Sequence, residues 1–167
     1  MFFMLDDIFI IRMNFNVVLF SPEIPQNTGN IGRTVYLSNC KLHLIEPIGF
    51  KINEKAVRRA GLDYWKEIDL EVHKSFSDFL DKYGNKRIFL STTTSEKLYT
   101  NFEFEKGDFV IFGKESAGLP EEIRNQFKNT SFRIPMIAST DRSINLSNAV
   151  SVVIYEALRQ MNFCDLI

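Results

Sequence analysis

The run RSINLSNAVSVVIYEALRQ, Arg142 to Gln160, carries more polar groups at its start than a helix needs. From Val150 onward Val150, Val153, Ile154, Ala157, Leu158 and Met161 recur at helical spacing, the pattern of a core-facing amphipathic helix. Ahead of them stand Ser143, Asn145, Ser147 and Asn148, whereas one hydroxyl or amide is enough to cap a helix N-terminus. Glycine, hydroxyl and amide residues also gather in SPEIPQNTGN (21–30), STTTSEK (91–97) and GKESAGLP (113–120). Such residues let a backbone come close to a ligand.

Several familiar chemistries fail on spacing. A phosphate loop needs its lysine after the second glycine, and Lys114 follows the first. GNIG, 29–32, lacks the full dinucleotide fingerprint and its acidic ribose partner, which disfavours a nucleotide-cofactor oxidoreductase. Ser116 and Ser143 have no histidine in any of these loops to act as base, so a serine hydrolase is improbable. His43 and His73, the only histidines, sit in KLHLIE and LEVH and read as structural or solvated. Glu115 has only Glu23, Glu96 and Asp141 for company, with no His or Cys in these loops, too few ligands for a metal hydrolase. What remains is backbone, hydroxyls, amides and one arginine, Arg33. That set suits positioning a cofactor whose own chemistry is already activated.

The elements that must position these loops alternate. Strand-like runs are Phe15–Phe20, Lys41–Glu46, Arg87–Thr92, Asp108–Gly113 and Ser131–Pro135; helix-like runs are Asn30–Ser38, Asn53–Ala60, Ser75–Tyr83 and Pro120–Phe127, and the last stretch reads as helix by length and period. Alternation with near-continuous apolar strands predicts an α/β fold, a mostly parallel sheet flanked by helices. Ligands in such folds gather at the carboxyl ends of strands, where the four polar segments fall.

Composition sets the frame. With 167 residues, 45% hydrophobic and 25% charged, the chain is long enough for one domain with a real core. A net charge of −1 confines any nucleic-acid surface to a local patch. Cys40 and Cys164 lack metal spacing and suggest a reducing compartment. The opening MFFMLDDIFIIR is too short to span a membrane, and its two acids fit no signal peptide, so a cytoplasmic protein is expected. Residues 1–12 read as an extension, with Met13 a natural start, and 13–167 as a single domain.

Three segments in order, NTGNIGR, FGKESAGLP, and IPM followed by SINLSNAVSVVIYEALRQ, closely resemble the motifs of the SPOUT (SpoU–TrmD) RNA methyltransferases. PEIPQNTGNIGR, LIEPIGF and RRAGLDYW are similar to the TrmL (YibK) subgroup, the tRNA (cytidine/uridine-2′-O)-methyltransferases that modify the wobble nucleotide. The likeness runs from Phe15 to about Phe163. It implies S-adenosylmethionine as methyl donor with S-adenosylhomocysteine as product, no metal, a tRNA anticodon stem-loop as substrate, a homodimer, and a deep trefoil knot in the C-terminal half. Threaded chains are otherwise so rare that no reading of periodicity would suggest one. Carried over by position, Ser91, Thr92, Gly113, Gly118, Ile134, Met136, Ser143 and Leu146 form the cofactor site, with Gly113 bare so that backbone can meet the ligand. Arg33 acts at the target nucleotide, and Asn30, Glu115 and Asn145 form its supporting shell. Lys51, Lys55, Arg58 and Arg59 offer RNA contacts, with Tyr64 and Trp65 as stacking faces. Two alternatives stay open: a different tRNA or ribosomal RNA position, and an RNA-binding module without turnover.

Overall fold

Strand alternation sorts the apolar residues into two layers. The computed structural model describes residues 14–50, 63–164 and 166–167. In it β1 (Asn16–Phe20), β2 (Lys41–Ile45), β3 (Leu70–His73), β4 (Ile88–Ser91), β5 (Phe109–Phe112) and β6 (Ser131–Phe132) form one sheet in the order β3-β2-β1-β5-β4-β6. Every pairing among them is parallel. Val17, Leu19, Leu42, Leu44, Val110 and Phe112 bury with residues of helices α1 (Pro25–Leu37) and α4 (Leu146–Gln160), among them Ile31, Val35, Val150 and Ile154. Val18, Ile45, Ile88, Leu90, Phe109 and Ile111 bury instead with Phe79 of α2 (Phe76–Tyr83) and Ile123 of α3 (Glu121–Gln126). Both faces are covered, which is why the strands read as apolar runs rather than as alternating ones. The expected parallel sheet between helices is present.

Three boundaries differ from expectation. Helix α1 starts at Pro25, not Asn30, so most of the polar segment 21–30 is helical. Proline suits a first helical position, and the glycines that make the segment look loop-like serve packing. A Cβ on Gly32 would lie 2.8 Å from Ile68 Cδ1 and 3.0 Å from Trp65, so the missing side chain admits the 3-10 turn Asp63–Glu67 and Ile68 against α1. LEVH forms β3 beside β2. Helix α4 starts at Leu146, capped by Asn145, four residues ahead of its apolar stripe. The helix-like run 53–60 lies outside the described residues.

The histidines are structural. His43 Nε2 lies 3.2 Å from Asn16 Oδ1, and the Asn16 amide nitrogen donates to the Gly107 carbonyl at 3.0 Å, so His43 must donate through Nε2. Its Nδ1 then accepts from His73 Nε2 at 3.1 Å. Burial pushes the His43 imidazole down to about 3, and it lowers His73 as well. Glu71, which completes a His43–Glu71–His73 cluster, is engaged by Lys41, Lys82 and the Tyr83 hydroxyl. Apart from the His43–His73 bond, the cluster's hydrogen bonds go to Asn16, Lys41, Lys82 and Tyr83 around it.

Candidate active site

The chain runs β1, β2, β3 outward on one side of the sheet, then returns to build β4, β5 and β6 on the other. Strands β1 and β5 are therefore neighbours at the point where the order reverses, the usual place for a ligand in an open parallel sheet. At their carboxyl ends two loops meet. Glu115, after β5, accepts from the Glu23 N–H at 2.8 Å through Oε2, and from the Ile24 N–H at 3.2 Å and the Asn27 amide at 3.0 Å through Oε1. Helix α1 has no side-chain cap from its own N-cap residue, Ile24, so this carboxylate satisfies part of its open start. Asn27 Oδ1 in turn accepts from the Asn145 amide at 3.0 Å. Asn145 Oδ1 accepts from the Ser147 N–H at 2.9 Å and its hydroxyl at 2.7 Å. One polar chain thus joins the β5 loop, α1 and the start of α4, and explains the amide and hydroxyl ahead of the last helix's stripe.

A second link runs the other way. The Glu23 carboxylate accepts from the Ser116 N–H and hydroxyl, both at 2.9 Å. Those two bonds, helped by Lys114, hold the Glu23 carboxyl below the usual carboxylate range. Between Lys114 and Gly118 the loop closes on itself through paired backbone hydrogen bonds of 3.2 and 2.9 Å, with Gly118 at φ +66°. A Cβ on Gly113 would stand 2.3 Å from the Gly118 carbonyl carbon, so the fold of the loop over Gly113 alone requires that position to be bare.

The other expected cofactor residues sit around this loop's edge of the sheet. Ser91 ends β4 between Phe112 and Phe132 in register, and the Thr92 N–H donates to the Phe132 carbonyl at 2.9 Å. Ile134 and Leu146 are half-buried against the α1/α4 core. Met136 and Ser143 are exposed. Arg33 is exposed on α1 with its guanidinium 5.5 Å from the Tyr64 ring centroid.

Residues 14–155 match the family described as the SpoU rRNA Methylase family. The chain belongs to the SpoU methylase family. A tRNA (cytidine(34)-2′-O)-methyltransferase from Saccharophagus degradans is 45% identical over 151 residues, 89% of this chain and 97% of that protein. A protein of the same name from Methylovorus glucosotrophus is 42% identical, covering 89% and 97%. A solved structure described as giving insights into the 2-OH methylation of C/U34 on tRNA is 42% identical, covers 91% of this chain and 98% of its own, and superposes with a TM-score of 0.83.

Within this SpoU chain the supporting shell differs from expectation at one position. Asn30 is exposed, and only its backbone carbonyl is engaged, by the Thr34 hydroxyl at 3.3 Å. Asn27, buried one turn earlier, joins Glu115 to Asn145. The buried stripe of α1 is the available signal: Asn27 lies four and eight residues before Ile31 and Val35, and Asn30 falls beside that line. Trp65 is half-buried with a ring edge against Gly32, and Tyr64 donates its hydroxyl to the Gly29 carbonyl at 3.2 Å and stacks on Tyr36. Lys51, Lys55, Arg58 and Arg59 lie outside the described residues.

Proposed function

We propose that this protein transfers the methyl group of S-adenosylmethionine to the ribose 2′-oxygen of the wobble nucleotide, cytidine or uridine, in a tRNA anticodon stem-loop. The observation that carries the reading is the near end-to-end likeness, 45% identity over 97% of the relative's length, to an enzyme named for that reaction. The residues present suit the donor. Glu115 spends both oxygens on its own chain, while Met136 and Ile137 leave apolar surface beside the strand ends for an adenine to cover. When bound, the donor supplies an electrophilic sulfonium methyl and leaves as S-adenosylhomocysteine.

The chain's own part is positioning. Ser91, Thr92, Gly113, Gly118, Ile134, Met136, Ser143 and Leu146 form the donor's walls, largely through backbone. A guanidinium offers donors and no acceptor, so Arg33 fixes a phosphate or stabilises the developing oxyanion. Glu115 and Asn145, through Asn27, hold the loops in register. Lys51, Lys55, Arg58 and Arg59 meet the RNA backbone. Residues 13–167 act as one domain in the cytoplasm; among the described residues no helix is long and apolar enough to cross a membrane.

Nucleoside mass spectrometry of tRNA treated with the pure protein and donor tests the substrate. The expected product is 2′-O-methylcytidine or 2′-O-methyluridine at the wobble position, and methylation elsewhere refutes it. We also assign the C-terminal half the trefoil knot that the SPOUT resemblance implies; a chain pulled by its ends should stop short of its full contour length. The active unit is a homodimer built on α1 and α4, whose shared face leaves Leu37 62%, Val152 38% and Tyr155 49% exposed. Tyr155→Asp, introduced twice across a two-fold axis, should yield monomers of low activity in sedimentation; an active wild-type monomer overturns the dimer.

A further inference from the structure

The bonds at the β1/β5 junction form a reciprocal exchange. Glu115 of the β5 loop satisfies backbone N–H groups of the β1–α1 segment, and Glu23 of that segment satisfies the backbone N–H and hydroxyl of Ser116 in the β5 loop. The backbone at Glu23 is fixed from a third side. Gly49 N–H donates to the Pro22 carbonyl at 2.9 Å, and a Cβ on Gly49 would lie 2.9 Å from Glu23 Cα. Glu23 therefore has little freedom to leave Ser116. Its immediate continuation is α1, which carries Arg33 ten residues on. Whatever orders the β5 loop is transmitted to the Arg33 helix through two carboxylates facing in opposite directions.

Among the described residues Glu23 makes no ion pair at bonding distance, and a lysine or glutamine there would lack two acceptor oxygens for the two Ser116 donors. We propose that Glu23 is a positioning residue for methyl transfer: it clamps the β5 loop onto the start of the Arg33 helix and so sets affinity for the methyl donor. The inference rests on the reading that this loop borders the donor.

Calorimetric titration of S-adenosylmethionine into full-length wild type, Glu23→Ala, Ser116→Ala and the double variant tests it. Ser116→Ala keeps every charge, so it isolates the contact from the field of Glu23. Glu23→Ala removes both bonds and should raise Kd roughly tenfold or more, Ser116→Ala removes the hydroxyl bond alone and should raise it less, and the double should be no worse than Glu23→Ala, which already lacks the whole contact. The loss should appear in KM for the donor more than in kcat, and Glu23→Gln, which keeps one acceptor oxygen, should fall between. Wild-type Kd with a lowered Tm, or losses that multiply in the double variant, would overturn the clamp. Hydrogen exchange of wild type separates the two readings. If the donor does not protect residues 113–118, the loop does not border it and both fail; if it does while Glu23→Ala binds normally, only the clamp fails.

Discussion

Glu115→Gln changes one oxygen into an amide group of nearly the same shape, yet the surroundings leave that group nowhere to go. All three partners, the Glu23 N–H, the Ile24 N–H and the Asn27 amide nitrogen, are donors. With the glutamine oxygen toward Ile24 and Asn27, its amide faces the Glu23 N–H. With the oxygen toward Glu23, Asn27 must flip to offer an acceptor, which turns its amide onto that of Asn145. Asn145 cannot follow without taking its oxygen from the Ser147 N–H and hydroxyl, which fix its orientation. The polarity of the whole chain is thus set at both ends. A hydrogen bond to a charged group contributes about 1.5–3 kcal/mol, and an orphaned donor adds to the loss, so in this half-buried site about 2 kcal/mol is expected. For a domain of this size that lowers Tm by roughly 4–8 °C. Urea unfolding should show a lower midpoint at unchanged slope. A glutamine variant as stable as wild type would mean that the carboxylate does not face three donors.

Arg33→Ala should slow single-turnover methyl transfer by roughly 100-fold or more with donor Kd little changed, and Arg33→Lys should rescue poorly if a planar contact to phosphate is needed; a near-normal rate removes Arg33 from the reaction. Gly113→Ala must push aside the Gly118 backbone, so donor affinity should fall together with stability of the loop, and an unchanged affinity in calorimetry refutes the close approach. His43, held near 3 by burial, binds no proton in the native state between about pH 6.5 and 3, whereas the unfolded chain does. Stability should therefore be complete above pH 6.5 and fall by about 2 kcal/mol on going to pH 5, readable in urea midpoints; a flat profile over that range refutes the buried neutral pair.

The parts of the molecule that depend on local pattern were legible in the sequence. Strands β1, β2, β4 and β5 read directly as apolar runs, and the polar loops fell at their carboxyl ends as the fold class requires. The misreadings share a cause, tertiary contact overriding local signal. Gly29 and Gly32 weaken helix propensity at the start of α1, but Gly32 is needed for Ile68 and Trp65 to approach. Asn27 and Asn30 are indistinguishable in composition, and only the helix phase set by Pro25 decides which one reaches Asn145. LEVH is four residues at a sheet edge, too short to show a period. The Glu23–Ser116 exchange joins residues 93 positions apart, a separation no local pattern encodes.

The first helix of this protein is finished by the second half of the chain. The N–H groups of Glu23 and of the N-cap Ile24 take their acceptors from Glu115, and β1, the strand before the helix, takes one of its two neighbours from β5. A ribosome that has released only β1, α1 and β2 has therefore made a helix with an unsatisfied start beside a strand with one open edge. That unit cannot lock until about 70 further residues, from Ile45 to Glu115, have emerged, which places the closure of the β1/β5 seam late in folding. The seam joining the loops of Glu23 and Ser116 then stays open until β5 and its loop have been made. Until it is made, the N-terminal half exposes a strand edge that invites pairing with another chain.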